Sequence, residues 1–283
     1  ARRFLSQGHQ VSCLSRSDRR PEATEMGVEH FGGLGASDEE VSSKVAEFNG
    51  GPAAFLTQDR LDVVIVAVSI LSFEETVVGL PIELLGQRES GCLLVDVLSV
   101  KLHPRAVLQQ VAPPNCDVLC THPMFGPESG RGSWGELPFV FEKVTDTNPE
   151  RTERFLSVFE TEGCTMVEMD AKKHDENAAN SQFATHLVGR LLEQLQLSAT
   201  PIDTMGFRTM LALKDTVAGD SFDLFYGLYK YNPNSVDTLL LLRKALVDLE
   251  WRLKEMDAVD TGTQGWKMRY PIENMANRTR TGM

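Results

Sequence analysis

Long apolar runs are missing from this sequence. No stretch approaches 18 uninterrupted apolar residues, so no segment has the pattern of a membrane-spanning helix. Basic charge is in short supply as well. Against 40 Asp and Glu stand only 28 Lys and Arg, a formal net charge of −12. Phosphate-backbone binding needs a basic face, so a nucleic-acid partner is not expected. Cysteine is scarce and odd in number: five residues, at 13, 92, 116, 120 and 164, mostly inside apolar runs. That usage suits reduced, buried thiols rather than a disulfide framework, and the spacing lacks the paired pattern of a zinc site, so no metal is expected. Also absent from the start is a strand followed by GxGxxG, the usual dinucleotide fingerprint.

What is present is an ordinary globular composition, 42% hydrophobic and 24% charged over 283 residues, a length that favours two domains. The opening ARRFLSQGHQ reads as the end of a helix capped by Gly8 and running into a strand. No initiator methionine, secretory signal or transit peptide is in view. The expectation is that a first strand and its glycine loop lie outside the sequence given. Strand patterns follow at 11–15, 61–69, 92–98, 116–120, 138–142 and 164–169, several of them aliphatic throughout, as strands buried on both faces are. Helical patterns occupy 38–48, 73–87, 101–112 and 149–162. This alternation predicts an α/β fold: a Rossmann-like doubly wound parallel sheet, with right-handed crossovers and its first strand missing. After about residue 170 the pattern becomes all-α, with helices over 172–197, 203–229 and 235–256. The expected domains are 1–170 for dinucleotide binding, 171–257 for a helical substrate and dimerisation domain, and 258–283 for an irregular tail.

An open parallel sheet takes its ligand at the carboxyl ends of its strands. Small polar residues stand at such ends: Ser15, Ser69, Ser72 and Ser99. Where NAD-binding sheets commonly end the second strand in a carboxylate, this strand ends Ser15-Arg16-Ser17. A guanidinium can grip a 2′-phosphate that a carboxylate would repel, which favours NADP over NAD. The alternative is that Arg16 is simply a solvated loop charge.

Residues 121–130, THPMFGPESG, place His122 at the head of a proline- and glycine-rich loop. Together with DVLSVK at 96–101, GDSFDL at 219–224 and SQFATH at 181–186, this run resembles the plant-type arogenate/prephenate dehydrogenases of tyrosine biosynthesis. The resemblance extends from Ala1 to about Glu250. It departs in the missing glycine loop, in an insertion between Phe31 and Arg60, and after about residue 257.

The resemblance implies oxidative decarboxylation of arogenate to tyrosine. Hydride leaves ring carbon C4 for the nicotinamide while carbon dioxide leaves C1. It implies that His122 accepts the ring-hydroxyl proton, with Ser99 sharing the hydrogen bond; a neutral imidazole suits that task near neutral pH. It places Asp220 where arogenate-preferring members carry an acid facing the substrate ammonium, and where prephenate-preferring members carry a neutral residue. The alternative for Asp220 is a helix cap. Gln182, Thr185 and Thr204 are implied substrate contacts, His186 is left open between core and site, and Lys214 has no match. Tyrosine, keeping the ammonium, is an expected inhibitor. The family builds its dimer from the helical half, and the apolar LLLLRKAL at 239–246 agrees with burial against something. A chloroplast location is implied, with the cytosol as alternative. The rival readings are a prephenate dehydrogenase, a β-hydroxyacid dehydrogenase using Lys172 or Lys173, and a non-catalytic homologue without a phosphate-binding loop.

Overall fold

The computed structural model describes residues 1–44, 49–126 and 129–260. Pro127, most of the expected tail at 258–283 and part of the predicted helix at 38–48 lie outside them. The chain forms two compact units, 1–235 and 236–283.

The first unit opens with α1 (Arg2–Ser6), β1 (Ser12–Leu14), α2 (Arg20–Met26) and β2 (Glu29–Phe31). α3 (Asp38–Ser43), α4 (Gly51–Leu56), β3 (Val63–Val66) and α5 (Phe73–Val78) follow, then a 3-10 turn at Ile82–Gln87. Next come β4 (Leu93–Asp96), α6 (Leu102–Val111), β5 (Asp117–Pro123), β6 (Pro138–Thr145), α7 (Pro149–Thr161) and β7 (Thr165–Glu168). β1 and β2 pair in parallel as a two-stranded sheet, and the other five form a sheet in the order β3-β4-β5-β6-β7. Together these form a Rossmann-like α/β framework followed by helices.

One departure from an all-parallel sheet is instructive. β6 runs antiparallel to β5, matching Thr121 to Phe141, His122 to Val140 and Pro123 to Phe139. The reason is the connection between them. A parallel return needs a crossover element, usually a helix, whereas the chain between Pro123 and Pro138 is rich in glycine and proline and turns straight back. His122 therefore lies inside a strand ladder, and it is β6, rather than prolines on a loop, that holds its backbone.

The sheet core is packed by aromatic rings. Phe139, fully buried, stacks on Phe159 of α7 at 3.9 Å between centroids, and Phe159 in turn stacks on Trp134 at 5.4 Å. Leu93, Val95 and Leu119 of the central strands complete the layer. Such contacts supply the apolar burial that fixes strand positions. Between β1 and β3 the packing is interrupted by a cavity of about 1180 Å³, lined by Ser12, Cys13 and Leu14 on one side and Val63, Val64 and Ile65 on the other.

The helical part begins with α8 (Ala171–Ala178), continues through a π-helical turn at Ala179–Phe183 into α9 (Ala184–Gln194), and adds α10 (Met205–Ala218) and α11 (Phe222–Tyr231). The single helix expected over 203–229 is two. Gly219 and Asp220 break it, and Ser221 starts α11 by accepting a hydrogen bond from the Leu224 N–H. Two glycines let these helices close up. A Cβ at Gly189 would stand 2.6 Å from Val217, and one at Gly227 would stand 2.0 Å from a methyl of Ile70. α11 thus sits directly on the loop that follows β3, and its Tyr231 stacks on His103 of α6 at 4.2 Å.

In the second unit, α12 (Ser235–Asp260) carries an unusual load of exposed apolar side chains, among them Leu240, Leu246, Trp251 and Leu253.

Candidate functional site

The carboxyl ends of β4 and β5 meet the start of α8 around one buried polar network. His174 and Asp175 lie in the middle of α8, and both are buried, at 3% and 0% exposure. The helix period explains why. Residues 171, 174, 175 and 178 fall on one face, and all four are buried, whereas Lys172 and Lys173 point to solvent. The Asp175 carboxylate meets the N-terminus of α6, accepting the Lys101 N–H at Oδ1 (2.8 Å) and the Leu102 N–H at Oδ2 (3.0 Å). Helix N-termini offer unpaired N–H groups and partial positive charge, so a carboxylate is a suitable partner. His174 Nδ1 bonds Asp175 Oδ1 at 2.8 Å, and His174 Nε2 bonds His122 Nδ1 at 2.9 Å. No protein partner among the described residues engages His122 Nε2.

Beside this chain, the Lys101 ammonium is buried against the Asp96 carboxylate and also donates to the Thr121 carbonyl. The Thr121 hydroxyl donates back to the Asp96 carbonyl at 2.5 Å, so the ends of β4 and β5 are locked together. Burial pushes the Asp96 carboxyl up, and the Lys101 ammonium opposes it. His122 is 3% exposed; burial, then His174 and Lys101, hold its imidazolium well below the usual range, so the ring is neutral at pH 7.

The other expected residues fall into three groups. Ser69 and Ser99 share a cavity of about 290 Å³ with Ile70, Leu98, Ser221 and Leu224, where the ends of β3 and β4 face the start of α11. No hydrogen bond joins Ser99 to His122. Ser72 turns inward to its own loop, donating to the Ser69 carbonyl.

A second cluster lies along α9. Gln182, His186 and Arg190 recur every four residues, and Gln182 Oε1, His186 Nδ1 and Arg190 Nε are buried without hydrogen-bond partners. Asp220 faces them: its Oδ2 is 3.8 Å from His186 Nδ1, and Arg190 Nη2 donates to its carbonyl at 2.5 Å. Ser221 takes the cap position, so the Asp220 carboxylate, 41% exposed, is free of that duty. His186 is therefore both core and cluster. Burial holds its imidazolium below the usual range, with Asp220 opposing. Thr185 is exposed, and Thr204 is spent on capping α10 by accepting the Phe207 N–H. Neither joins the cluster. Lys214 donates to the Leu197 carbonyl at 3.0 Å.

At the end of β1, Ser15 donates to the Ser17 carbonyl and bonds His30 Nε2 at 2.9 Å. Asp18, the nearest carboxylate, is clamped by Arg20 through Nε and Nη2, which holds its carboxyl well below the usual range. Arg19 pairs with Glu22. The Arg16 guanidinium is exposed and no interaction engages it among the described residues.

Sequence reasoning missed His174 and Asp175. The signal was available, since a His-Asp pair on the buried face of a helix is too costly to bury without a partner.

Fold and site together define a Rossmann-like α/β protein with an appended helical layer. Residues 34–168 match the model of the prephenate dehydrogenase nucleotide-binding domain, and 191–264 match that of a TYRAAT1-like C-terminal domain. Arogenate dehydrogenase 1, chloroplastic, of Arabidopsis thaliana is 45% identical over 88% of this chain and 36% of its own length. Arogenate dehydrogenase 2, chloroplastic, of the same plant is 41% identical over 88% of this chain and 65% of its own. The chain therefore spans less than two thirds of either relative. The crystal structure of Synechocystis arogenate dehydrogenase superposes with a TM-score of 0.60 over 98% of this chain and 91% of that one, at 15% identity, which speaks to fold. The chain belongs to the arogenate/prephenate dehydrogenase family.

The depressed imidazolium of His122 has a consequence for stability. The unfolded ring takes up its proton near pH 6.5, the folded one only at lower pH, so below 6.5 the unfolded chain binds more protons. Unfolding free energy should fall as pH drops from about 6.5 to about 5, by at most about 1.4 kcal/mol per pH unit for one such group. Denaturant titrations at stepped pH should show this slope reduced in His122→Asn.

Proposed function

We propose that the protein oxidatively decarboxylates arogenate to tyrosine with NADP as hydride acceptor. The observation that carries the reading is a neutral, buried His122 whose Nδ1 is occupied and whose Nε2 meets no protein partner among the described residues, at the carboxyl edge of a dinucleotide-type sheet. Bound NADP supplies the nicotinamide that takes the hydride from C4. His122 Nε2 then accepts the hydroxyl proton as C4 becomes trigonal, and loss of carbon dioxide from C1 leaves its electron pair to complete the aromatic ring. Burial excludes water, so the base is not tied up by solvent and its geometry is fixed in advance. Arg16, Ser15 and Ser17 are the residues proposed to hold the 2′-phosphate end, with Ser69 and Ser72 nearer the reacting ring. Ser99 lines the cavity at the ends of β3 and β4 and is proposed there as a donor to the substrate hydroxyl.

Asp220 is proposed to pair with the substrate α-ammonium, supported by Gln182 and His186 from the facing helix; Thr185 and Thr204 belong to the same reading as outer contacts. A ketone in place of the ammonium would leave the carboxylate without its counter-ion, which favours arogenate over prephenate. The end product tyrosine keeps the ammonium and should compete. The region 171–257 then serves as substrate and dimerisation domain of a homodimer, in keeping with the exposed apolar side chains of α12. A chloroplast location is proposed from the names of the two Arabidopsis relatives.

A second reading is that of a non-catalytic homologue. A fluorescence titration with NADPH separates the two. Saturable binding, weakened about tenfold or more by Arg16→Ala while NADH binding is unchanged, supports the dehydrogenase. No binding supports the alternative.

Steady-state kinetics test the chemistry. His122→Asn should retain NADPH binding and lose ~10²–10⁴ in kcat. Asp220→Asn should lower kcat/KM for arogenate by roughly 10- to 100-fold and relieve tyrosine inhibition, with prephenate turnover unchanged or improved. Arogenate rates and tyrosine sensitivity both unaltered would remove Asp220 from this role.

A further inference from the structure

The polar chain behind His122 does more than fill space. Both oxygens of Asp175 accept backbone N–H groups at the head of α6, and a carboxylate has no proton to give. The hydrogen between Asp175 and His174 therefore sits on His174 Nδ1. With His174 neutral, its Nε2 keeps a lone pair, and His122 Nδ1 donates to it across 2.9 Å. His122 Nε2 is then the lone pair that faces the reaction. The tautomer of the base is set by a residue 52 positions further along the chain.

We propose that His174, oriented by Asp175, is a proton relay for His122: it fixes the reactive tautomer and takes over the charge as the substrate hydroxyl is deprotonated. The inference rests on the reading of His122 as the proton acceptor. The bonds balance as follows. The substrate O–H bond breaks as a bond from that hydrogen to His122 Nε2 forms; the His122 Nδ1–H bond breaks as its hydrogen bonds to His174 Nε2. His122 ends neutral and His174 cationic, with its Nδ1–H still donating to the Asp175 carboxylate. Once the product leaves, the proton returns along the same path and passes from Nε2 to water.

The surroundings favour this transfer. An imidazolium on His122 would stand in a dry site close to the Lys101 ammonium at the head of α6. Moved one ring further, the charge lies against the Asp175 carboxylate at 2.8 Å. The charged groups around the pair are Asp96 at the end of β4, Lys101, and Asp175 on α8. Asp96 is already engaged by Lys101, which leaves Asp175 as the counter-ion of the new cation.

The test compares His174→Gln with His174→Phe in the purified protein. Glutamine can still accept the His122 Nδ1–H but cannot carry the proton onward, whereas phenylalanine can do neither. With arogenate and NADP, kcat should fall about 10²-fold in His174→Gln and further in His174→Phe, with NADPH binding and KM within about twofold of wild type. Rates measured across mixtures of light and heavy water give the readout that a purely structural role would not move. The wild-type plot should bow, two protons being in flight, and the His174→Gln plot should be straight. A straight wild-type plot, or a bowed one retained in His174→Gln, overturns the relay. Loss of activity in His122→Asn beside full activity in His174→Gln overturns the relay alone, whereas full activity in His122→Asn overturns the assignment of His122 itself.

Discussion

The Asp175 carboxylate at the head of α6 is the interaction on which the site's geometry depends. It takes two backbone N–H groups from the helix that follows β4 and an N–H from His174 on its own helix. The main-chain carbonyl of Asp175 accepts from the Asn232 side chain at the end of α11 at 2.8 Å. One buried residue thus joins the sheet, the first helix of the helical layer and the last helix before the second unit. Removing such a carboxylate would orphan several buried donors at once, each costing about 1–3 kcal/mol.

From that anchor the chemistry radiates by position. His122 is fixed along its strand by the β5–β6 ladder and at its ring by His174. Its burial keeps it neutral, which is the state a general base needs. Asp220 lies at the opposite extreme, half exposed at a helix break, where it can meet a charged group entering from water. The protein therefore places its proposed base in a dry site and its proposed specificity carboxylate in a wetter one. That division suits a reaction whose proton transfer must be shielded while its substrate arrives fully hydrated.

Much of this was legible in the sequence, and the physical reasons for the rest are specific. β3, β4 and β5 announce themselves as aliphatic runs because strands buried on both faces have no polar side to display. The three-residue strand β2 and the short helices α2 and α4 carry too few periods to register. The antiparallel return of β6 could not be read locally, since strand direction is set by the connection and not by the strand's own pattern. At the candidate site, His122 and Asp220 stood out in the sequence through their motifs, and Arg16 through its place at a strand end. His174 and Asp175 did not, because no motif marks them and they adjoin Lys172 and Lys173, which the helix period turns to solvent. Of the other implied substrate contacts, Thr185 is exposed and Thr204 caps a helix.

The central claim is that the fold delivers His122 as a neutral base with its lone pair on Nε2. Nitrogen-15 chemical shifts of the histidine rings at neutral pH test it most directly. The account predicts a protonated Nδ1 and an unprotonated Nε2 on His122, with His174 protonated on Nδ1. The opposite tautomer on His122, or an imidazolium there at pH 7, would contradict it.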